Sequence, residues 1–157
     1  MNYWLLKSEP HSFSLDDLAA APGQTTAWEG VRNYQARNFL RDGLRIGDQA
    51  FFYHSSIAQP AIVGLVEVTR AAYPDASAFD PGSPYYDPAS SPQAPRWYCV
   101  DVRLIERLRR PITLAGLKRC PALADFALLR RGNRLSVLAV SAAQWACILD
   151  LAAAPLA

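Results

Sequence analysis

The residues best suited to chemistry lie close together in the run Trp28-Glu-Gly-Val-Arg-Asn-Tyr-Gln-Ala-Arg37. Trp28 and Tyr34 offer flat π-faces, Asn33 carries a donor and an acceptor on one amide, and Arg32 and Arg37 carry charge suited to phosphate. A pocket that holds a nucleobase needs that inventory. The same aromatics also fit a plainer role, as core residues flanking a helix start.

Other chemistries find less support. Hydrolysis needs a nucleophile beside a base with an orienting acid. His54 and Ser55 are neighbours, and on a strand adjacent side chains point to opposite faces. The chain has no Gly-x-Ser-x-Gly elbow and no Gly-rich phosphate cradle. A metal nuclease would cluster carboxylates. Of the candidates Asp75, Asp80, Asp87 and Asp101, the first three sit in proline-rich sequence where aspartate serves turns. His11 and His54 make no metal-binding spacing, and Cys99, Cys120 and Cys147 contain no Cys-x-x-Cys pair. The cysteines are expected as small buried residues in a reducing compartment. Neither metal nor cofactor is expected, and a binding protein is expected rather than an enzyme.

A chain of 157 residues fits one domain, residues 1–157, with a substantial core. With 51% hydrophobic and 19% charged residues it is globular in composition. No apolar stretch approaches the roughly 20 residues of a membrane span. The opening Met1-Asn-Tyr-Trp-Leu-Leu-Lys7 places its lysine after the apolar run, the reverse of a secretory signal. The expected location is cytoplasmic. A net charge of +2 is too small to announce a nucleic-acid binder. Basic residues are nevertheless almost all arginine, Lys7 and Lys118 being the two lysines. Two clusters stand out, Arg103, Arg107, Arg109 and Arg110, then Arg130, Arg131 and Arg134; both are expected as solvated surface.

These side chains need a scaffold. Tyr3 to Lys7 suits a buried strand. Ser14-Leu-Asp-Asp17 has capping-box spacing and opens a short helix ending near Pro22-Gly23. Asn33 caps a second helix reaching Arg41, with Gly43 as its stop. Gln49 to His54 is a strand, as is Ala61 to Val68, where Gly64 suggests a bulge. Tyr73 to Pro95 is a long ordered loop rich in proline. Arg96 to Leu108 is a long strand, Thr113 starts a helix through Leu117, Leu135 to Val140 is the last strand, and Ser141-Ala-Ala-Gln144 caps a terminal helix. That order implies an α+β protein: a small curved or closed β-barrel of about five to six strands with helices packed around it.

The chain resembles the EVE domain family. The resemblance rests on Tyr3-Trp-Leu-Leu-Lys-Ser-Glu-Pro10, Trp28 to Asn38, Gly47 to Ser55 and Ile62 to Val68. It continues through Ala72-Tyr-Pro-Asp75, Tyr85-Tyr-Asp-Pro88, Arg96-Trp97, Val100-Asp-Val102 and Arg134-Leu-Ser-Val137, and so covers nearly the whole chain. Ala139 stands where the family is expected to carry proline. The resemblance implies the PUA-like barrel shared with YTH domains, nucleic acid as partner, and recognition of modified bases, notably modified cytosines in DNA.

The resulting expectation joins both lines. An unpaired or flipped base stacks on Trp28, with Tyr34 or Trp97 closing the cage and Val31 beside it. Asn33 reads the base edge, and Ser8, Glu9, His54 and Ser55 supply further polar contacts. Lys7, Arg32, Arg37 and Arg96 hold phosphates. A pocket of this kind also suits a small metabolite or nucleotide, which stays open from sequence alone.

Overall fold

A computed structural model describes residues 1–153. Its strands are β1 (Tyr3–Ser8), β2 (Thr25–Ala27), β3 (Gln49–His54), β4 (Ala61–Pro74), β5 (Tyr98–Thr113) and β6 (Val137–Val140). They form one sheet in the order β2-β5-β4-β3-β1-β6, with β1 and β3 parallel and the other neighbours antiparallel. The sheet is α+β in setting and open: β2 and β6 are its edges, so the barrel is not closed by hydrogen bonds.

Alternation along the strands divides the interior in two. Trp4 and Leu6 of β1, Ala50 and Phe52 of β3, and Val66 and Val68 of β4 face one core. Leu5, Phe51 and Tyr53 face the other. The first core is covered by helices α1 (Leu15–Ala20) and α2 (Tyr34–Asn38), which contribute Leu15, Leu18 and Ala36. The second is covered by α3 (Leu114–Lys118) and α4 (Ala142–Ala153), whose Trp145 stacks on Phe51 with ring centroids 4.0 Å apart. Register shifts recur along the β4–β5 pair, beginning beside Gly64, and each bulge adds local bend and twist.

Differences from the sequence expectation have local causes. β2 has no apolar run of its own; pairing with Asp101–Arg103 makes it a strand. The β4–β5 hairpin runs on past Val68, to Pro74 opposite Tyr98, because cross-strand bonds sustain pairing where composition turns polar. Pro111 fits within β5 because β2 pairs only with residues 101–103, leaving that stretch an edge with no ladder donor to lose. The helix capped by Asn33 does reach Gly43, but changes into a π-helical turn at Phe39–Gly43. Cys99 is buried, whereas Cys120 and Cys147 are half-exposed free thiols. Among the described residues no helix is long and apolar enough to cross a membrane.

Both expected capping boxes form. Asp17 N–H donates to Ser14 Oγ at 3.1 Å and Ser14 N–H to Asp17 Oδ2 at 2.8 Å; Ser141 and Gln144 repeat the exchange at 3.1 and 3.0 Å. At α1 a second acceptor joins, because His54 Nε2 takes the Leu15 amide at 3.1 Å. That bond requires an unprotonated nitrogen. Burial holds the His54 pKa below its ordinary value, with Asp16 opposing and Arg107 reinforcing the shift. Since the folded pKa is the lower one, stability is full above the unfolded value of about 6.5 and declines as pH falls below it. Urea midpoints are expected to drop between about pH 7 and pH 5. His54→Ala should cost about 1 kcal/mol at neutral pH and flatten that decline. An unchanged pH profile in the variant would refute the assignment.

Candidate functional site

Beyond β2 the chain stays on the sheet edge. The Trp28 amide donates to Val100 O at 2.7 Å, and the indole packs edge-on against Phe52 with centroids 5.3 Å apart. Trp28 is therefore a core residue, only 7% exposed, and at the same time part of the wall of a cavity of about 900 Å³. Ligand sites typically occupy roughly 300–1,000 Å³. The cavity brings together Trp28, Val31, Asn33, Ser8, Glu9 and Ser55 from the expected base-binding set, and Lys7 and Arg32 from the expected phosphate set. It also takes in Phe13, Glu29, Tyr85 and Arg134, none of which the sequence reading assigned to the site.

One carboxylate organises the wall. Asp75 is fully buried and accepts from the Gly30 amide at 2.9 Å, from the Ser77 amide and hydroxyl, and from Arg32 at 3.1 Å. Burial by itself would raise its pKa; the bonds from Ser77, Gly30 and Arg32 outweigh burial and hold the carboxyl below its ordinary value. Gly30 has φ +84°, and a Cβ there would come within 2.7 Å of the Tyr85 ring. Only glycine lets the amide reach Asp75 while Tyr85 lies against the same backbone.

Arg32 has to be reassigned. Its five N–H groups donate to Tyr85 O twice, Val31 O, Asp75 Oδ2 and Ser77 Oγ, at 2.7–3.2 Å. Nothing remains for a phosphate, so Arg32 is a structural clamp on the cavity wall. The expected cage closure by Tyr34 or Trp97 is also corrected. These two rings stack on each other, centroids 4.8 Å apart, outside the cavity lining. Arg32 lies 5.3 Å from the Trp97 ring and Arg37 lies 4.8 Å from the Tyr34 ring, so a cation flanks the stacked pair at each end. Trp97 Nε1 further donates to Asp87 at 2.7 Å. Arg37 donates to Arg96 O at 2.7 Å, while the Arg96 side chain is exposed and lines no part of the cavity. His54 does not line it either, being committed to the Leu15 amide.

Of the polar groups that remain, Asn33 spends its carbonyl oxygen on capping α2, accepting from Ala36 N–H at 3.1 Å. Its NH₂ keeps no partner among the described residues. Ser8 donates to Phe13 O, and Glu9 accepts from Ser56 at 3.2 Å and faces His11 at 3.1 Å. Glu29 makes no side-chain hydrogen bond within the described structure. Partial burial raises its pKa, the Asp75 charge adds to that, and Arg32 offsets part of it. Burial likewise lowers the pKa of Lys7. The cavity thus combines an aromatic wall, a free amide donor and a free carboxylate acceptor.

An open, bulged six-stranded sheet with helices on both faces and a lateral aromatic cavity is the PUA-like architecture. The chain belongs to the EVE domain family, which matches residues 2–151. It is 50% identical over 126 residues to thymocyte nuclear protein 1 of Mus musculus, covering 74% of this chain and 55% of that protein. The chain therefore spans about half the length of the relatives it matches. Human THYN1, solved in complex with 5-methylcytosine-containing DNA, superposes with TM-score 0.92 at 39% identity, covering 99% of this chain and 100% of that one. The YTH domain of Zygosaccharomyces rouxii MRB1, solved with N6-methyladenosine RNA, shares the fold at TM-score 0.54 and 15% identity, covering 96% and 86% of the two chains.

Removing Arg32 leaves Asp75 charged, buried and short of one partner. Arg32→Ala should destabilise the chain by about 3 kcal/mol in urea unfolding. Arg32→Lys should recover little of it, because one ammonium cannot reach acceptors spread around a planar fork. A loss well under about 1 kcal/mol would show the clamp to be dispensable.

Proposed function

We propose that this chain is a non-catalytic nucleic-acid-binding module that holds a modified nucleobase in its cavity, with 5-methylcytosine in DNA as the preferred base. The observation that carries this reading is the cavity itself, where Trp28, the unpartnered Asn33 amide and the unpartnered Glu29 carboxylate border one space. The complex of human THYN1 with 5-methylcytosine DNA supports the choice of base. Stacking on an aromatic contributes roughly 1–3 kcal/mol per base, against a few kcal/mol for extruding the base from a duplex. Edge contacts must therefore supply the remainder. A carboxylate accepts from the exocyclic amine of cytosine, and the Asn33 NH₂ donates to a ring nitrogen or carbonyl. Thymine carries the same 5-methyl group but presents a carbonyl where cytosine presents the amine. Glu29 therefore selects against thymine by repulsion.

Catalysis is disfavoured by how the reactive groups are used. His54 is bound to a backbone amide, Ser8 to a backbone carbonyl, and the Cys99 thiol is pushed up to about 12, chiefly by burial.

Calorimetry with matched oligonucleotides tests the reading. One buried methyl is worth about 0.8 kcal/mol, so 5-methylcytosine should bind about fourfold tighter than cytosine, and tighter than thymine as well. Trp28→Ala should abolish the difference, and Glu29→Gln should shift 5-methylcytosine and thymine toward parity. The preference over thymine should also weaken on acidification, beginning above the ordinary carboxylate range because the Glu29 pKa is raised. Equal binding of all three bases would refute the pocket assignment. Free 5-methyl-2′-deoxycytidine binding as tightly as the oligonucleotide would instead mark a small-metabolite site.

A further inference from the structure

A second, smaller groove of about 380 Å³ adjoins the cavity and shares Asn33 and Arg134 with it. Its far side is formed by Arg130, Arg131, Gly132 and Asn133. This is the arginine cluster whose composition suggested ordinary solvated surface. Three features set it apart.

First, the loop is built rather than loose. Leu128, just before it, is buried in the second core, and the Asn133 amide donates to Arg130 O at 3.2 Å. Gly132 takes φ +77°, which closes that turn. The Asn133 side chain donates to Ala127 O at 2.7 Å and accepts the Leu135 amide at 2.9 Å, pinning both ends. Second, all three arginines are exposed, and none forms an ion pair or side-chain hydrogen bond among the described residues. Arg32, Arg41, Arg103 and Arg107 each have a carboxylate partner, whereas these three, like Arg109 and Arg110 on β5, have none among the described residues. Third, the groove and the cavity differ in charge composition. The cavity lining mixes the carboxylates of Glu9 and Glu29 with Lys7, Arg32 and Arg134, whereas the groove carries arginines and no acidic residue.

We infer that Arg130, Arg131 and Arg134 bind the phosphodiester backbone next to the nucleotide whose base enters the cavity. The inference rests on the proposed base-binding role. It replaces the expected phosphate ligands Arg32, whose donors are spent, and Arg37, which is bound to the Arg96 carbonyl. Arg134 borders both spaces, so it stands where the base leaves the backbone. Guanidinium groups free of carboxylates offer paired donors to phosphate oxygens without first breaking an internal bond.

The test compares two double variants of the full chain that remove equal charge. Arg130→Gln with Arg131→Gln alters the groove and spares the cavity. Arg109→Gln with Arg110→Gln alters exposed arginines on β5. Binding of a 5-methylcytosine oligonucleotide is measured over a salt series, together with the ratio of 5-methylcytosine to cytosine affinity. Each lost phosphate contact lowers the slope of log K against log salt by about 0.9 for duplex and about 0.7 for single strands. The groove variant should lose about two such contacts and weaken binding at least tenfold at low salt, with the base ratio and thermal midpoint unchanged. The β5 variant should keep the wild-type slope. Equal slopes in the groove variant and wild type, or equal losses in both variants, would overturn the inference. A wild-type base ratio of one would refute the base-binding reading instead, while the two slopes still decide the groove.

Discussion

The site depends on a charge that solvent never reaches. Asp75 sits in the protein with no exposed surface, and an unpaired carboxylate there would cost several kcal/mol. It is tolerated because its bonds come from two separate segments, the 30–32 loop and Ser77. Arg32 then carries the connection on to the Tyr85 carbonyl. The cavity wall and the proline-rich loop are thereby joined through one ion pair, whose arginine side chain is 23% exposed and whose aspartate side chain is not exposed at all. The column of Arg32, Trp97, Tyr34 and Arg37 extends the same junction outward. These groups would be natural ligands for base and phosphate if they were free. The fold uses them to hold the pocket open and in shape.

The sheet separates a sealed face from the face that carries the cavity. One face is sealed by α3, α4 and the buried Phe126 and Leu123. The other face is covered only in part by α1 and α2, and the uncovered part is the cavity. Trp28 illustrates the consequence. Packing against Phe52 fixes the indole, so a base that stacks on it meets a surface already ordered, and little side-chain entropy is lost on binding.

Most of the architecture was legible from sequence because its signals are local. The capping boxes at Ser14 and Ser141, the Asn33 and Thr113 caps and the apolar runs of β1 and β3 each declare themselves within a few residues. β2 was not legible, since three residues acquire strand geometry only from their partner on β5. The site followed the same division. Trp28, Val31 and Asn33 are expected from residue type and spacing, and all three line the cavity. The roles of Arg32, Tyr34 and Trp97 could not be read that way, because they are set by contacts to residues more than forty positions away in sequence or by each other. Tyr85 was visible as part of a resemblance motif, but its place in the wall depends on the glycine at position 30. Glu29 carried no signal beyond adjacency to Trp28.

Net charge is a poor guide to a partner when charge is sorted by location. At +2 the chain has no strong overall field, yet Arg130 and Arg131 stand in a groove without acidic residues while Glu9 and Glu29 stand in the adjoining cavity lining. A nucleotide is itself divided in this way, with a neutral base that can present an amine and an anionic phosphate some distance away. On the proposed reading, carboxylates in the cavity lining beside a groove of arginines favour a nucleotide with its base inward. The reverse orientation would set phosphate against Glu29 and leave the guanidinium groups of Arg130 and Arg131 facing an uncharged ring. The cations of the lining are placed to suit that division: Arg32 is paired to Asp75, Arg134 stands where lining and groove meet, and burial lowers the Lys7 pKa. The internal clamp and the external groove thus divide the arginines by use: the first pairs Arg32 with a buried carboxylate in the cavity wall, and the second leaves Arg130 and Arg131 exposed, where the proposed reading sets the backbone.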